Sequence, residues 1–217
     1  MARTIKDSLA EQVVKSTRRT APAEREVRKI ETDDLIPSGS TLLNLACSDN
    51  PYGAYGLGKI VTLPGTSSAG KTLLMLTTFA EAHKLERMNK YDFIYDDVEA
   101  ALEFDLAYLF GKGVAGRIKE PPQGCSDTIE HFKSNILTLA EKGKPFIYCL
   151  DCFDALSSDD ELEKEMRKAL AMAKSEEAAK KIAGSYGTEK AKMAGQVLRM
   201  VKQELNRTNS LLIMIQQ

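Results

Sequence analysis

The sequence has almost no net charge and no long apolar run. Its 30 Lys and Arg residues face 31 Asp and Glu residues, which leaves a net charge of -1 at pH 7. This balance excludes a surface-wide positive field, so a nucleic-acid partner would need a local basic patch. No apolar run approaches the roughly 20 residues that span a bilayer, and charges near the N-terminus interrupt the apolar stretch that a signal peptide needs. These absences predict a cytosolic protein without a membrane partner.

Cysteine is scarce, and the few cysteines form no complete metal site. They are Cys47, Cys125, Cys149 and Cys152. The last two form a C-x-x-C pair, a spacing found in redox pairs and in half of a zinc site. No second C-x-x-C or pair of histidines completes such a site, and the apolar run 146–150 is typical of a buried strand. We therefore interpret this cysteine pair as structural, with Cys149 a small apolar side chain of that strand.

One segment has the pattern of a Walker A phosphate-binding loop. In such a loop the backbone N–H groups surround the phosphates, the lysine neutralises charge on the β- and γ-phosphates, and the final hydroxyl ligates Mg²⁺. An apolar run, 59–63, precedes the segment and a helical pattern, 72–82, follows it, which is the context that the motif requires. The sequence therefore predicts a site for a nucleoside triphosphate, ATP above all, with Mg²⁺. The residues of this Walker loop are Gly65, Thr66, Ser67, Ser68, Ala69, Gly70, Lys71 and Thr72.

Strand-like and helical patterns alternate along the rest of the chain. Strand-like runs at 91–95, 146–150 and 210–215 each follow helical material, including 128–142 and 189–205. Strands that alternate with helices and are apolar on both faces indicate a parallel sheet covered on both sides. The predicted fold class is α/β.

Two charged segments do not fit the core. Residues 1–30 are polar and lean basic, which predicts an N-terminal arm outside a core of residues 31–217. This arm is either a solvated tail or a segment that docks on a neighbouring subunit or on nucleic acid. Residues 159–181 are rich in Glu and Lys at i, i+4 spacing, which is typical of a solvated helix.

Acidic residues follow two of the predicted strands. Asp151 ends the run 146–150, where a P-loop protein needs a carboxylate for Mg²⁺, so we predict it as the Walker B aspartate. Asp154 fits a helix cap or a turn better than a metal ligand. The group that activates water for hydrolysis would come from Asp96, Asp97 or Glu99, and chemistry alone does not choose among them.

With these motifs in this order, the chain resembles the ATPase core of the RecA family of recombinases, particularly its phage-type members, from about residue 36 to 217. The resemblance implies a P-loop core with a mostly parallel central sheet flanked by helices. It also implies that Glu99 is the catalytic glutamate, that Asp151 is the Walker B aspartate, and that Gln217 senses the γ-phosphate. The blocks that carry it are 36–40, 58–61 with the Walker loop, 93–102, 146–151 and 209–217.

The same resemblance implies residues that contact the adenine of ATP and a loop that binds DNA. Glu103 matches an acidic position beside the adenine. The aromatic residue that stacks on adenine has no clear counterpart, and Phe104 and Tyr108 are both open choices. Residues 184–188 fall where the first DNA-binding loop lies, although their glycine and serine content fits an ordinary surface turn equally well.

The function implied is that of an ATP-dependent DNA recombinase, in a bacterial cell or a phage-infected host. Subunits would polymerise on single-stranded DNA, bind ATP between neighbours, and promote homologous pairing and strand exchange. The alternatives are a ring-forming DNA helicase or regulatory ATPase with the same core, and a nucleotide-binding assembly protein with little turnover. The chain stops two residues after an apolar run, before the second DNA-binding loop, so we expect the C-terminal part of the core to be missing.

Overall fold

The computed structural model describes residues 31–172 and 186–216, and its centre is a five-stranded parallel sheet. The strands within these two ranges are β1 (Leu35–Ile36), β2 (Tyr55–Gly56), β3 (Ile60–Pro64), β4 (Asp92–Asp97), β5 (Ile118–Lys119), β6 (Phe146–Asp151) and β7 (Leu211–Gln216). The central sheet has the order β3-β7-β6-β4-β5, and β1 and β2 form a separate antiparallel pair. The predicted α/β class with a parallel sheet is confirmed.

Helices connect the strands. Polar side chains cap several of them: those of Ser40, Asp105 and Thr128 each accept a hydrogen bond from the backbone N–H group three residues later. No helix in the described ranges is long and apolar enough to cross a membrane. The helices are α1 (Thr41–Ser48), α2 (Lys71–His83), α3 (Leu106–Phe110), α4 (Lys112–Ala115), α5 (Ile129–Glu141), α6 (Asp159–Met172) and α7 (Tyr186–Thr208).

The sheet is apolar on both faces because successive side chains of a strand point to opposite sides. In β6, Ile147 joins the cluster beneath α2, whereas Tyr148 joins the cluster beneath α5 and α7. In β7, Leu212 and Ile213 divide in the same way. All four side chains are fully buried. This double burial explains why these strands are almost continuously apolar in the sequence.

The order of the strands brings the chemically active segments to one edge of the sheet. Strand β7 lies between β3 and β6, as expected for so apolar a segment, with Ile213 in register with Val61 on one side and Cys149 on the other. Since all five strands run in parallel, the segments that follow β3, β4, β6 and β7 emerge at the same end. The Walker loop and the acidic residues after β4 and β6 therefore meet there.

Some predicted segments differ from the structure or lie outside it. The charged stretch 159–181 is helical as far as Met172, and the rest of it lies outside the described residues. A loop is expected at residues 184–188. Residues 186–188 instead form the start of α7, so the prediction is wrong for these three residues, and residues 184–185 lie outside the described ranges. The arm 1–30 and Gln217 also lie outside the described residues. The two-residue strand β5 was not predicted, since it carries too short an apolar pattern.

Candidate functional site

The Walker loop joins β3 to the N-terminus of α2. Gly70 caps this helix with φ of +82°, a left-handed conformation that favours glycine, and its carbonyl accepts a hydrogen bond from the Leu74 N–H at 2.9 Å. At the other end of the loop, the Gly65 N–H donates to the Gln216 carbonyl at 3.2 Å. The loop is therefore fixed between a helix N-terminus and the end of β7. Unpaired N–H groups and the helix dipole make such an N-terminus a binding site for anions.

The Walker lysine is folded onto its own loop. The Lys71 ammonium donates to the Gly65 carbonyl at 2.6 Å and to the Thr66 carbonyl at 2.7 Å. Both acceptors are neutral carbonyl oxygens, whereas a phosphate would add the attraction between opposite charges to its hydrogen bond. An anionic phosphate above the loop would therefore compete well for this ammonium.

Asp151 receives two hydrogen bonds on one carboxylate oxygen. Its Oδ2 accepts from Thr72 Oγ1 at 2.7 Å and from the Tyr95 hydroxyl at 3.1 Å. Burial raises the pKa of the Asp151 carboxyl, the two hydrogen bonds oppose that shift, and the nearby Glu99 and Asp97 carboxylates add to it. Several carboxylates thus crowd the space beside the Walker loop, which favours the binding of a cation.

The structure separates the three acidic residues at the end of β4, of which Asp96 lies on the far face of the sheet. Its buried carboxylate accepts hydrogen bonds from the Ser126 N–H at 2.8 Å, the Ser126 hydroxyl at 2.7 Å and the Tyr148 hydroxyl. Burial raises the pKa of Asp96, and these hydrogen bonds oppose the shift. Asp96 therefore anchors the segment around Ser126 and does not line the pocket beside the Walker loop.

Asp97 shapes the turn that carries Glu99. Its two carboxylate oxygens accept hydrogen bonds from the backbone N–H groups of Ala101 at 3.1 Å and Leu102 at 3.0 Å. Within this turn Ala100 has φ of +50°, which is uncommon for a residue with a side chain. Asp97 also lines the pocket, and the two backbone N–H groups hold its carboxylate against the turn.

Glu99 faces the same pocket as the Walker loop. The pocket has a volume of about 280 Å³, and its lining includes Lys71, Thr72, Glu99 and Asp151. Glu99 Oε1 accepts a hydrogen bond from the Cys152 thiol at 2.9 Å. Burial and this hydrogen bond raise the pKa of Cys152 to about 11, so the thiol keeps its proton at neutral pH. The pocket thus brings the Walker residues and three carboxylates together, those of Asp97, Glu99 and Asp151.

The expected base-binding residues divide between the inside and the outside of this pocket. Phe104 lines it and is 42% exposed. Tyr108 is 86% exposed, Glu103 is also exposed, and neither contributes to the lining. The geometry therefore favours Phe104 over Tyr108 as the aromatic contact of a nucleotide base, and it does not bring Glu103 to the pocket.

The side-chain oxygen atoms of the pocket are of the type that binds Mg²⁺. Thr72 and Asp151 offer a hydroxyl and a carboxylate, both hard oxygen donors. No group of three or more His, Cys, Asp and Glu side chains suited to a metal occurs in the part of the chain that the structure describes. Magnesium in nucleotide sites typically takes one or two carboxylates together with phosphate oxygens and water. The residues present therefore fit a metal that arrives with its nucleotide.

Two residues that hydrogen-bond to the acidic side chains of the pocket, Tyr95 and Cys152, were missed in the sequence. Tyr95 lies two residues before Asp97, and the two-residue period of a strand could have placed its hydroxyl on the Asp151 side of β4. Cys152 was interpreted with Cys149 as structural, although its position directly after Asp151 puts it beside the acids. Cys149 itself is buried in β6, as expected.

Comparison with known proteins agrees with this geometry. The family model of the RecA N-terminal domain matches residues 11–217. Protein RecA of Xanthomonas axonopodis pv. citri (strain 306) is 29% identical over 190 residues, which cover 88% of this chain and 47% of that protein. Protein RecA of Aquifex aeolicus (strain VF5) is 28% identical over 193 residues, which cover 89% of this chain and 48% of that protein. The chain thus spans about half the length of these curated relatives. The chain belongs to the RecA N-terminal domain family.

Proposed function

We propose that this chain is the ATP-binding part of a DNA recombinase that forms a filament on single-stranded DNA and promotes homologous pairing and strand exchange. The observation that carries the nucleotide part is the 2.7 Å hydrogen bond between Thr72 and Asp151 beside the Walker loop. Membership of the RecA N-terminal domain family supports the DNA part. The relatives compared are matched over only 47% and 48% of their length, so filament formation and strand exchange are proposals about the whole protein.

The proposed ATP position follows from the charges of the pocket. The β- and γ-phosphates would lie at the N-terminus of α2, where the backbone N–H groups of the Walker loop can donate to them. Lys71 would leave its two carbonyl acceptors and bind the phosphate oxygens. Thr72 and Asp151 would hold Mg²⁺, whose charge offsets that of the triphosphate. The Phe104 ring, at the side of the pocket, would contact the base.

Glu99 is the proposed base for hydrolysis. Its carboxylate would accept a proton from a water molecule as the water oxygen bonds to the γ-phosphorus. The bond from that phosphorus to the β–γ bridging oxygen breaks, the electron pair leaves with ADP, and inorganic phosphate is the second product. Two observations support Glu99 over its neighbours: Asp96 is buried on the other face of the sheet, and Asp97 is bound by backbone N–H groups.

Gln217 is the proposed sensor of the γ-phosphate. Its neighbour Gln216 ends β7 and accepts a hydrogen bond from Gly65, so the chain reaches the Walker loop one residue before Gln217. A side chain at this position could report the nucleotide state to a DNA-binding segment. This arrangement would couple ATP to DNA binding and to self-association.

The rate of ATP hydrolysis with and without single-stranded DNA tests this function in the intact natural protein. We expect DNA to stimulate the rate, and electron micrographs with an ATP analogue to show helical filaments on the DNA. Closed rings in place of filaments would support a helicase or a regulatory ATPase. Negligible hydrolysis under both conditions would support a nucleotide-binding assembly protein.

A further inference from the structure

The Cys152 thiol lies 2.9 Å from Glu99 Oε1, where the segments that follow two neighbouring strands meet. Strands β4 and β6 are paired in register up to Asp97 and Asp151. One residue further, the Val98 N–H donates to the Asp151 carbonyl at 2.8 Å. The backbones thus stay bonded right up to the contact between thiol and carboxylate, which fixes the separation of the two side chains.

The turn that carries Glu99 is also fixed on its other side. Asp97 accepts hydrogen bonds from Ala101 and Leu102, which close the turn around Glu99. A fixed backbone still leaves a glutamate several side-chain rotamers. A hydrogen bond to the carboxylate itself selects among these rotamers, and the thiol supplies one.

Cys152 has no direct access to a nucleotide. It is 1% exposed, it belongs to the apolar cluster beneath α2, and it does not contribute to the lining of the pocket that contains Glu99. A buried cysteine of this kind can be a simple apolar filler. The short distance to a carboxylate oxygen distinguishes this one, because an apolar filler has no reason to direct its sulfur at a charged group.

We propose that Cys152 is a positioning residue for Glu99: its thiol holds Oε1 so that the carboxylate points over the Walker loop, where the attacking water would lie. This inference rests on the proposed function, in which Glu99 is the base. An ionised carboxylate has about four lone-pair sites, and the thiol takes up one of them, on Oε1. Cys152 acts through Glu99 and has no role of its own in binding ATP.

Three variants of the intact protein test this role in the DNA-stimulated ATPase assay. Cys152→Ala removes the donor, Cys152→Val also restores bulk, and Cys152→Ser keeps a donor. General bases contribute about 10²- to 10⁴-fold to a rate, so the loss of positioning should lower kcat by about tenfold in the Ala and Val variants. The Ser variant should stay within about threefold of wild type. KM and the affinity for ATP should not change in any of them.

The kcat values of these three variants, taken together, test the positioning role of Cys152. A wild-type kcat in both Cys152→Ala and Cys152→Val would overturn the proposal. An equal loss in the Ser variant would overturn it too, since the shape of the side chain and not its donor would then matter. Thermal unfolding followed by circular dichroism identifies a variant that has lost its fold, and the remaining non-donor variant then decides.

A double-mutant cycle with Glu99→Gln separates this inference from the proposed function. If the thiol acts through Glu99, Cys152→Ala should cause no further loss of kcat in a Glu99→Gln protein. A tenfold loss in both backgrounds would overturn the positioning role and leave Glu99 as the base. A wild-type rate in Glu99→Gln alone would instead overturn the proposed function, and the positioning role with it.

Discussion

Thr72 Oγ1 donates a hydrogen bond to Asp151 Oδ2 at 2.7 Å, although the two residues are 79 positions apart in the sequence. Thr72 lies in the first turn of α2, and Asp151 is the last residue of β6. The parallel sheet brings them together because β3 and β6 are separated only by β7. Two separate motifs of the sequence thereby place two side-chain oxygen atoms next to each other.

The Thr72 hydroxyl should be required for hydrolysis. Thr72→Val keeps the shape of the side chain but removes the hydroxyl, so we expect the Mg²⁺-dependent ATPase rate to fall by about tenfold or more, the size of effect typical for loss of a hydrogen bond to a charged group. Thr72→Ser keeps the hydroxyl and should retain most of the rate. Equal rates in the Val and Ser variants, measured at saturating ATP and Mg²⁺, would contradict the role of Thr72 as a metal ligand.

The Asp151 carboxylate should reduce the stability of the nucleotide-free protein. Burial raises its pKa in the folded state, so its contribution to the free energy of unfolding is present below the ordinary pKa of about 4 and is lost as pH rises through the raised value. Asp151→Asn removes the charge and should increase stability at pH 7 by about 0.5–2 kcal/mol, the usual size of one stabilising substitution.

Denaturant unfolding of wild type and Asp151→Asn, without nucleotide or Mg²⁺, measures this difference at several pH values. It should be largest near neutral pH and should shrink as the pH falls through the raised pKa of the Asp151 carboxyl. The same variant should lose Mg²⁺-dependent ATP hydrolysis. A variant that is less stable than wild type at pH 7 would contradict the electrostatic account.

The Asp96 side chain should contribute to the stability of the fold, and the substitution Asp96→Asn should reduce that stability only slightly. Asp96→Ala would leave the buried N–H and hydroxyl of Ser126 and the hydroxyl of Tyr148 without their acceptor, at a cost of about 1–3 kcal/mol for each unsatisfied group. Asp96→Asn keeps an acceptor oxygen and should lose much less. Midpoints of thermal unfolding compare the two, and similar losses would show that the hydrogen bonds of Asp96 are unimportant.

The two exposed aromatic residues near the pocket should differ in their effect on ATP affinity. Stacking of a base on an aromatic side chain is worth about 1–3 kcal/mol, so Phe104→Ala should weaken binding by about fivefold or more. Tyr108→Ala is the matched control and should leave the affinity unchanged, because Tyr108 lies outside the pocket lining. Titration with a fluorescent ATP analogue gives both values. A loss confined to Tyr108→Ala would reverse the assignment.

The sequence predicted the fold and the strand–loop–helix context of the Walker loop well, because both depend on strong local patterns. The apolar runs of β4, β6 and β7 follow from burial, and the glycine at 70 follows from the left-handed conformation of the loop, so neither needs distant information. Local patterns could not assign the roles of the acidic residues at the end of β4. Asp96 and Asp97 differ only in the face of the strand on which they lie and in the donors that reach them from Ser126 and from the turn at 97–102.

The contact between Cys152 and Glu99 could not be predicted for a related reason. A C-x-x-C pair suggests that its two cysteines share one role, but here they have different surroundings. Cys149 is enclosed within the sheet, whereas Cys152 follows the last residue of β6 and meets the carboxylate of the neighbouring turn. Strand order and register decide this difference, and both emerge only in the folded chain.

Single-turnover cleavage of ATP by wild type and by Glu99→Gln, in the presence of Mg²⁺ and single-stranded DNA, tests the central claim most directly. The substitution keeps the size of the side chain and removes the base, so Glu99→Gln should bind ATP normally and cleave it about 100-fold more slowly or worse. Cleavage by Glu99→Gln at the wild-type rate would contradict the account.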